Sequence, residues 1–248
     1  VGKPPAAALN TFDIQLGQGN GLPDFISGFP VDFGMVRQFA STQSNYTAFR
    51  LTRTNYMATD STSPQSTAAS FVFDNNQGWD SSSNSTNISW MWKRGQGFDV
   101  VTYSGQSDAK TVLHSLNAVP EMMWVKNRTY DDANGWTVYH TGLNGGTNPE
   151  QYRIRLQSDV AEDDNNLAWN DIAPTATHFT LGTDRMVNQS SYDYIAMLFA
   201  SANDTDGNPI SKVGSYSGSG STGNAQNIGF QPRFLFIKRI NTTGDWMV

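Results

Sequence analysis

A seven-residue phrase recurs along the chain and constrains its fold more than any other feature. Residues 120–126 read Pro-Glu-Met-Met-Trp-Val-Lys, and residues 232–238 read Pro-Arg-Phe-Leu-Phe-Ile-Lys. Both consist of a proline, a variable residue, four apolar residues and a lysine. A looser copy at residues 31–37, Val-Asp-Phe-Gly-Met-Val-Arg, has valine and arginine at its ends. One such run is typical of a buried strand, but three in matching surroundings predict a structural repeat.

The stretches before the phrase also resemble one another. Residues 11–14 and 98–101 share a Phe-Asp-aliphatic start, and the sequence Tyr-Ser-Gly occurs at residues 103–105 and again at 216–218. Each start is followed by a polar, glycine-containing stretch and then by the phrase. This order predicts strand, loop and strand, three times over.

Matches continue after the phrase. Trp136-Thr-Val corresponds to Trp246-Met-Val, residues 49–52 resemble residues 152–155, and residues 88–92 resemble residues 195–199. We therefore predict an extended N-terminal arm at residues 1–10, a divergent first β repeat at 11–97, a complete second β repeat at 98–210, and the start of a third, incomplete repeat at 211–248. Because the third repeat stops after its third element, we expect either that the native polypeptide continues or that another subunit supplies the missing strands.

The hydrophobic pattern indicates strands. Residues 152–156 alternate between apolar and charged side chains, as in a half-exposed strand, whereas residues 234–237 are apolar on both faces, as in a strand covered on both sides. Turn signals punctuate the chain at residues 20–21, 134–135, 144–146 and 206–209. The predicted fold class is all-β, with tandem antiparallel β-sandwich or jelly-roll-like repeats.

Composition excludes several classes of function. The chain has no cysteine, which excludes disulfide scaffolds, thiolate zinc sites and cysteine nucleophiles. Its net charge of −6 argues against nucleic acid as the main partner. No apolar run approaches the roughly 20 residues of a membrane helix, so we expect no membrane insertion.

Candidate chemical groups are few. His114, His140 and His178 match no zinc-binding spacing, and the sequence lacks a Gly-x-Ser-x-Gly elbow, although a Ser-His-Asp triad stays open. The acidic run at residues 159–164 is interpreted as a solvated turn or a calcium loop, and residues 203–208 as an Asp-Gly turn or a calcium loop. We assign no catalytic, cofactor-binding or metal-binding residue, and expect neither a cofactor nor an enzyme.

Contact surfaces have better candidates. The Ser/Thr/Asn-rich stretches at residues 59–70 and 80–87 are expected to be exposed loops, where recognition often takes place. Residues 218–223 are glycine-rich but lack the ending of a phosphate-binding loop, so we expect a flexible connection. Trp79, Trp90 and Trp92 could stack on sugars in a lectin-like module, or pack in a core.

One combination of motifs resembles a known family. The order is Tyr-Ser-Gly, then Gly-aromatic-x-Pro-x-aromatic-apolar-apolar-x-Lys, then Gly-x-Trp. It is present at residues 216–218, 229–238 and 244–246, and in part at residues 103–105, 120–126 and 135–140. It resembles a repeat domain of virion structural proteins of tailed bacteriophages, notably tail-fibre-like proteins of marine phages. The resemblance covers residues 98–248 well and residues 11–97 poorly.

The resemblance implies a structural role without catalytic residues. We expect a virion protein, a tail fibre or appendage with a role in host attachment, that self-associates as a homotrimer. Its further partners would be other virion proteins and a host-surface glycan or receptor. Two alternatives are a capsid decoration or head-fibre protein and a carbohydrate-binding, lectin-like module.

Overall fold

The computed structural model describes residues 10–19, 21–39, 41–81, 84–131 and 135–248. The arm predicted at residues 1–10 lies outside this part of the chain apart from Asn10. The turns expected at residues 20–21 and 134–135 each include one residue that also lies outside it.

Within the described residues, the chain consists of short strands joined by turns, so the all-β prediction is confirmed. The strands are β1 (Phe12–Leu16), β2 (Phe25–Ile26), β3 (Phe33–Gln38), β4 (Tyr46–Phe49), β5 (Asn55–Ala58), β6 (Ser66–Thr67), β7 (Phe71–Val72), β8 (Gly78–Ser81), β9 (Asn87–Trp92), β10 (Phe98–Ser104), β11 (Lys110–Leu113), β12 (Met122–Asn127), β13 (Trp136–His140), β14 (Tyr152–Arg155), β15 (Asp163–Asp164), β16 (His178–Leu181), β17 (Asp193–Phe199), β18 (Ala202–Asn203) and β19 (Pro209–Ser211). The helices are α1 (Asn166–Trp169) and α2 (Arg185–Asn188), and 3₁₀ turns lie at Arg50–Thr52, Leu143–Gly146 and Pro149–Gln151.

Two six-stranded antiparallel sheets form the framework. The first sheet has the order β1-β9-β3-β4-β5-β6, and the second has the order β10-β17-β12-β13-β14-β15. In both, the first strand of the segment lies at one edge, the last strand lies beside it, and the intervening strands follow in chain order. The two sheets therefore have the same topology.

The strand registers align the two sheets residue by residue. Arg37 pairs with Ile88 in the first sheet, and Lys126 pairs with Ile195 in the second. The copies of the phrase at residues 31–37 and 120–126 therefore occupy equivalent positions, 89 residues apart (126 − 37).

One match made from the sequence is wrong. Residues 49–52 do not correspond to residues 152–155, because Phe49 ends β4 and pairs with Phe33. Met57 lies opposite Thr47, and Ile154 lies opposite Val138. Strand β14 therefore corresponds to β5, with an offset of 97 (154 − 57).

The inner faces of the two sheets meet in one hydrophobic core, which we call the shared core. Its buried members come from both sheets and include Phe33, Met35, Phe49, Met57 and Trp92 from the first, and Phe98, Val100, Trp124, Trp136, Val138, Ile154, Ile195, Met197 and Phe199 from the second. We predicted a separate sandwich for each segment, but here one sandwich-like core contains both. Each sheet must bury its apolar inner face, and the facing sheet provides the cover.

The outer face of each sheet is covered by a further layer. The three-stranded sheet β2-β8-β7 covers the first sheet over a cluster around Trp79. The pair β11-β16 and the two helices cover the second sheet over a cluster around Trp169. This double coverage explains why β17 is apolar along both faces and is buried from Tyr194 to Phe199.

Residues 212–248 lie against the shared core through Phe234, Phe236 and Trp246. Their strand pairing consists of a single bridge between Ile237 and Met247. The prediction that residues 234–237 are covered on both sides is wrong, because Leu235 is 51% exposed. Only one face of this run packs on the protein.

Candidate functional site

The lysine of the recurring phrase and the tryptophan that follows it connect the second sheet to the first. Lys126 Nζ donates a hydrogen bond to the carbonyl oxygen of Thr62 at 2.6 Å, and Trp136 Nε1 donates to the carbonyl oxygen of Ala58 at 2.9 Å. Lys126 and Trp136 are paired across β12 and β13, and both side chains are fully buried. We call these two hydrogen bonds the first junction.

The next lysine and tryptophan connect residues 212–248 to the second sheet. Lys238 Nζ donates to the carbonyl oxygen of Asp159 at 3.1 Å, and Trp246 Nε1 donates to the carbonyl oxygen of Arg155 at 2.9 Å. These two hydrogen bonds form the second junction.

The two junctions are built from equivalent positions. The offset of 97 relates β5 to β14. With this offset, Arg155 is the equivalent of Ala58, and Asp159 is the equivalent of Thr62. The bridge between Ile237 and Met247 likewise corresponds to the pairing of Val125 with Thr137 in the second sheet. Residues 212–248 therefore contact the second sheet in the same way that the second sheet contacts the first.

The ammonium group of Lys238 is held by backbone carbonyls. Besides the Asp159 carbonyl, it donates to the carbonyl oxygens of Arg239 and Gly244, each at 2.8 Å. Burial lowers the pKa of Lys238, and the Asp159 carboxylate partly opposes this effect. Because three acceptors surround the amine, it serves to position the segment.

A third contact returns from residues 212–248 to the first sheet. The ring of Phe234 lies 5.9 Å from that of Phe12 and 5.5 Å from that of Trp92. Arg233 Nη2 forms an ion pair with Asp13 Oδ1 at 2.7 Å. The ring contact repeats the one between the first two sheets, where Phe33, the equivalent of Phe234, lies 5.8 Å from Phe98.

Two of the three histidines lie together on the outer layer of the second sheet. His114 Nε2 lies 3.1 Å from the carbonyl oxygen of Thr175, and its Nδ1 accepts a hydrogen bond from the N–H of Leu116. His178 Nδ1 lies 3.0 Å from Thr175 Oγ1. Burial lowers the pKa of His114. These bonds hold the turn before β16, at residues 175–178, against the end of β11.

His140 lies apart from the other two, at the end of β13. Its Nδ1 accepts a hydrogen bond from the N–H of Gly142 at 2.8 Å. Burial lowers the pKa of His140, and the nearby Glu121 carboxylate acts in the opposite direction. The ring orders the turn that follows the strand. The structure does not bring the three histidines together.

The acidic run at residues 159–164 is part of the second junction. Its backbone accepts from Lys238, and the N–H of Glu162 donates to the carbonyl oxygen of Ile240 at 2.8 Å. Asp163 forms an ion pair with Arg153 at 3.0 Å. In the part of the chain that the structure describes, no three acidic or histidine side chains form a group that could hold a metal ion.

Residues 203–208 form a turn between β18 and β19. Asp204 Oδ1 accepts hydrogen bonds from the N–H groups of Asp206 at 2.9 Å and Asn208 at 2.8 Å. The backbone hydrogen bond from Asn208 is the main cause that lowers the pKa of Asp204. The carboxylate therefore closes the turn itself. The glycine-rich run at residues 218–223 is exposed.

The tryptophans considered for sugar stacking are used in packing. Trp79 is fully buried, and its Nε1 donates to Ser89 Oγ at 2.9 Å. Trp92 is buried in the shared core, and Trp90 is half-buried with its ring 6.3 Å from that of Phe234. Trp79 and Trp92 therefore present no free face of the kind that sugar stacking requires.

The polar stretches predicted as exposed loops, residues 59–70 and 80–87, include residues that pack or form hydrogen bonds inside the protein. Thr62 and Gln65 contact the second sheet, where the N–H of Gln65 donates to the carbonyl oxygen of Arg128 at 2.9 Å. Asp80 is buried in β8 and accepts the N–H of Asp24 at 2.6 Å, and burial raises the pKa of Asp80. Thr62 therefore belongs to the first junction, and Gln65 contacts the second sheet beside it.

The sequence identified the donors at the junctions but not their acceptors. The donors are side chains in recurring motifs, Lys126 and Lys238 in the phrase and Trp136 and Trp246 after it. The acceptors are backbone carbonyls, which every residue carries, so no side-chain pattern could have marked them.

Comparison with known families places the chain in a family whose role is not described. A domain of unknown function (DUF7483) matches residues 33–248, and the chain belongs to this family. No curated protein and no solved structure matches the chain. Over the described residues, no helix is long and apolar enough to cross a membrane.

Proposed function

We propose that the chain is a structural protein of a tailed-bacteriophage virion, a tail fibre or similar appendage with a role in host attachment. The proposal starts from the motif resemblance at residues 98–248. One structural observation supports it most, namely that the lysine and the tryptophan of these motifs form the two junctions between segments. The motifs that define the resemblance thus hold a protein scaffold together.

The use of these side chains favours assembly over chemistry. Lys126 and Trp136 are fully buried and donate to backbone carbonyls. A catalytic group must reach a substrate and needs an orienting partner in the same cleft. Donors enclosed between two sheets and bonded to carbonyls instead stabilise the arrangement of segments.

The proposed architecture is a tandem series in which each segment provides one sheet. Residues 11–97 and 98–210 supply the two sheets of identical strand order, and residues 211–248 begin a third unit. This replaces the sandwich or jelly roll per repeat with one shared core for all units. The equivalent registers and the equivalent junctions are its support.

The proposed partners follow from the virion role. We include self-association as a homotrimer, contacts with other virion proteins, and a host-surface glycan or receptor. No nucleic acid, membrane or cofactor is part of the proposal. A head-fibre or capsid decoration protein would use the same scaffold at another place in the particle.

Immunogold labelling of intact particles tests the proposal. Particles produced from the genome that encodes this chain are labelled with an antibody against residues 98–248, and the control uses antibody absorbed with the purified chain. We expect gold at the tail or its appendages. Gold over the capsid would replace the tail assignment with the decoration protein, and particles that lack the chain by mass spectrometry would overturn the virion proposal.

Self-association is tested separately by light scattering on the purified chain. The chain has a mass of 27.3 kDa, and a homotrimer would have three times that mass in solution. A monomer over a wide range of concentrations would remove the homotrimer from the proposal.

A further inference from the structure

His114 lies where the outer layer of the second sheet meets the apolar cluster beneath it. It directly follows β11, and the partner strand β16 begins at His178. Two residues further along the chain, Leu116 is 5% exposed and packs in the cluster around Trp169, which this layer covers. His114 therefore lies next to the point at which the loop after β11 enters the cluster.

The two ring nitrogens of His114 have partners that fix its neutral form. The carbonyl oxygen of Thr175 can only accept, so Nε2, which lies 3.1 Å away, carries a hydrogen and donates it. The N–H of Leu116 can only donate, so Nδ1, which lies 3.3 Å away, carries no hydrogen and accepts. A proton added at Nδ1 would set two donors against each other and break the hydrogen bond from Leu116.

The groups around His114 act on its pKa in opposite directions. Burial lowers the pKa, and a positive charge on His178 adds to this effect. The Thr175 carbonyl and the Asp99 carboxylate act the other way. The charge of Asp99 is already paired, because its Oδ1 lies 2.6 Å from Arg94 Nε. Burial is the largest of these causes, so the pKa of His114 lies below its ordinary value of 6.5.

His178 adds a second ionisable ring to the same end of the layer. Its Nδ1 lies 3.0 Å from Thr175 Oγ1 and 3.1 Å from Thr177 Oγ1. Leu113 pairs with His178 across β11 and β16, and Leu113 immediately precedes His114. When both histidines are charged, their repulsion therefore opposes the closed arrangement of β11 and the turn before β16.

We propose that His114 and His178 form an acid-sensitive latch that holds the outer layer β11-β16 on the second sheet. At neutral pH, the His114 ring joins the Thr175 carbonyl to the N–H of Leu116 and keeps Leu116 in its cluster. Protonation breaks this link, so that the loop after β11 and the start of β16 separate from the sheet. The shared core, on the other face of the sheet, stays closed. The inference does not depend on the virion role.

The latch opens in one direction of pH. Because the pKa of His114 is lowered in the closed layer, the open layer binds the proton first, and opening becomes easier as the pH falls below about 6.5. One proton changes the opening equilibrium by at most about tenfold per pH unit. The change ends at the lowered pKa of the closed layer, below which both forms of the layer are protonated.

Hydrogen exchange of the whole chain, measured by mass spectrometry at pH 7 and at pH 5, tests the latch. Protection is corrected for the intrinsic dependence of amide exchange on pH. We expect the protection of residues 110–116 and 177–181 to fall by about threefold or more at pH 5, relative to residues 195–199 in β17. This local fall distinguishes opening of the outer layer from unfolding of the whole chain.

Two asparagine variants separate the latch from general acid sensitivity. His114→Asn keeps a side-chain oxygen that can accept the Leu116 N–H but does not titrate, so the relative fall should disappear. His140→Asn is the matched control, because His140 Nδ1 also accepts a backbone N–H, from Gly142, and burial also lowers the pKa of His140. His140 lies at the end of β13, away from this layer, so its variant should keep the fall.

A titration of the histidine rings by nuclear magnetic resonance gives a second measurement on the unmodified chain. The signals of His114 are identified by their loss in His114→Asn, and their midpoint should lie below 6.5. A midpoint at or above 6.5 would overturn the proposal. So would a fall in protection of equal size in the outer layer and in β17, or a fall in the outer layer that His114→Asn leaves unchanged.

Discussion

The first junction predicts an asymmetry between two buried tryptophans that face the same core. Trp136 and Trp124 are 0% and 2% exposed, and both belong to the shared core. Trp136 Nε1 donates to the Ala58 carbonyl, whereas Trp124 Nε1 is buried without a hydrogen-bond partner. Phenylalanine at either position removes the same atoms, so the two variants differ mainly in the hydrogen bond.

The magnitudes follow from these surroundings. Replacing the indole by a phenyl ring loses about 2 kcal/mol of apolar burial and packing at either position. Trp136→Phe also loses the hydrogen bond to Ala58, about 1–2 kcal/mol, since that residue is half-buried and water can reach its carbonyl only in part. Trp124→Phe removes an unsatisfied buried donor, which offsets about 1 kcal/mol of its loss. We expect Trp136→Phe to be less stable than Trp124→Phe by about 2–3 kcal/mol.

Urea unfolding followed by far-UV circular dichroism measures the difference without relying on tryptophan fluorescence. Both variants should unfold with the wild-type dependence on urea concentration, and the midpoint of Trp136→Phe should be the lower of the two. Equal midpoints, or a lower midpoint for Trp124→Phe, would refute the assignment of the first junction as a stabilising contact between the sheets.

Two further predictions concern a close approach and a titrating group. Gly34→Ala should destabilise the protein by about 1–3 kcal/mol, because the added Cβ would overlap the fully buried indole of Trp79. The control Gly214→Ala, where a Cβ meets open space, should change the stability by less than about 0.5 kcal/mol, and equal midpoints in urea would contradict the overlap. His140→Asn should flatten the acid side of the stability profile, since burial lowers the pKa of His140 from 6.5, so that the unfolded chain binds the proton first and stability falls as the pH drops below about 6.5. Asparagine preserves an acceptor for the Gly142 N–H but does not titrate, and unfolding curves from about pH 7 to pH 5 that run parallel to wild type would contradict this.

The sequence was most informative where strands carry side chains that the sheet requires. Alternating or doubly apolar runs flanked by turn residues identified the strands, because burial acts directly on side chains. The lysine offset of 89 and the Phe-Asp start at residue 98 both agree with the observed registers. At these positions the side-chain requirements of the two sheets are the same, so their sequences remain similar.

The sequence misled where connections differ in length. A 3₁₀ turn at Arg50–Thr52 joins β4 to β5, whereas residues 141–151 join β13 to β14. The extra residues change the offset between equivalent positions, so a linear match of residues 49–52 to residues 152–155 selected a turn in place of a strand. Lengthening a surface loop costs little free energy. The flanking strands therefore need no compensating change, and the sequence gives no clear signal of where the insertion lies.

The outer layers were the least predictable part of the fold. Gly34 and Met123 occupy equivalent positions, but Trp79 from β8 fills the space over Gly34. In the second sheet, Met123 packs in a cluster that includes Trp169 of α1. At this position the first sheet has a glycine beneath a large indole ring, whereas the second sheet has a methionine that packs against other side chains. Packing requires only that the pair fill the space, and the sequence of one strand does not identify its cover.

The junctions also explain why the segments surround one core. A contact in which each unit uses one surface to bind a different surface of its neighbour generates a ring when the rotation closes and an open series when it does not. Here the second sheet binds the first through Trp136, and residues 212–248 bind the second through Trp246. Residues 212–248 also reach back to the first sheet, where Arg233 pairs with Asp13. Residues 212–248 therefore contact both sheets, and the three segments lie around the same core.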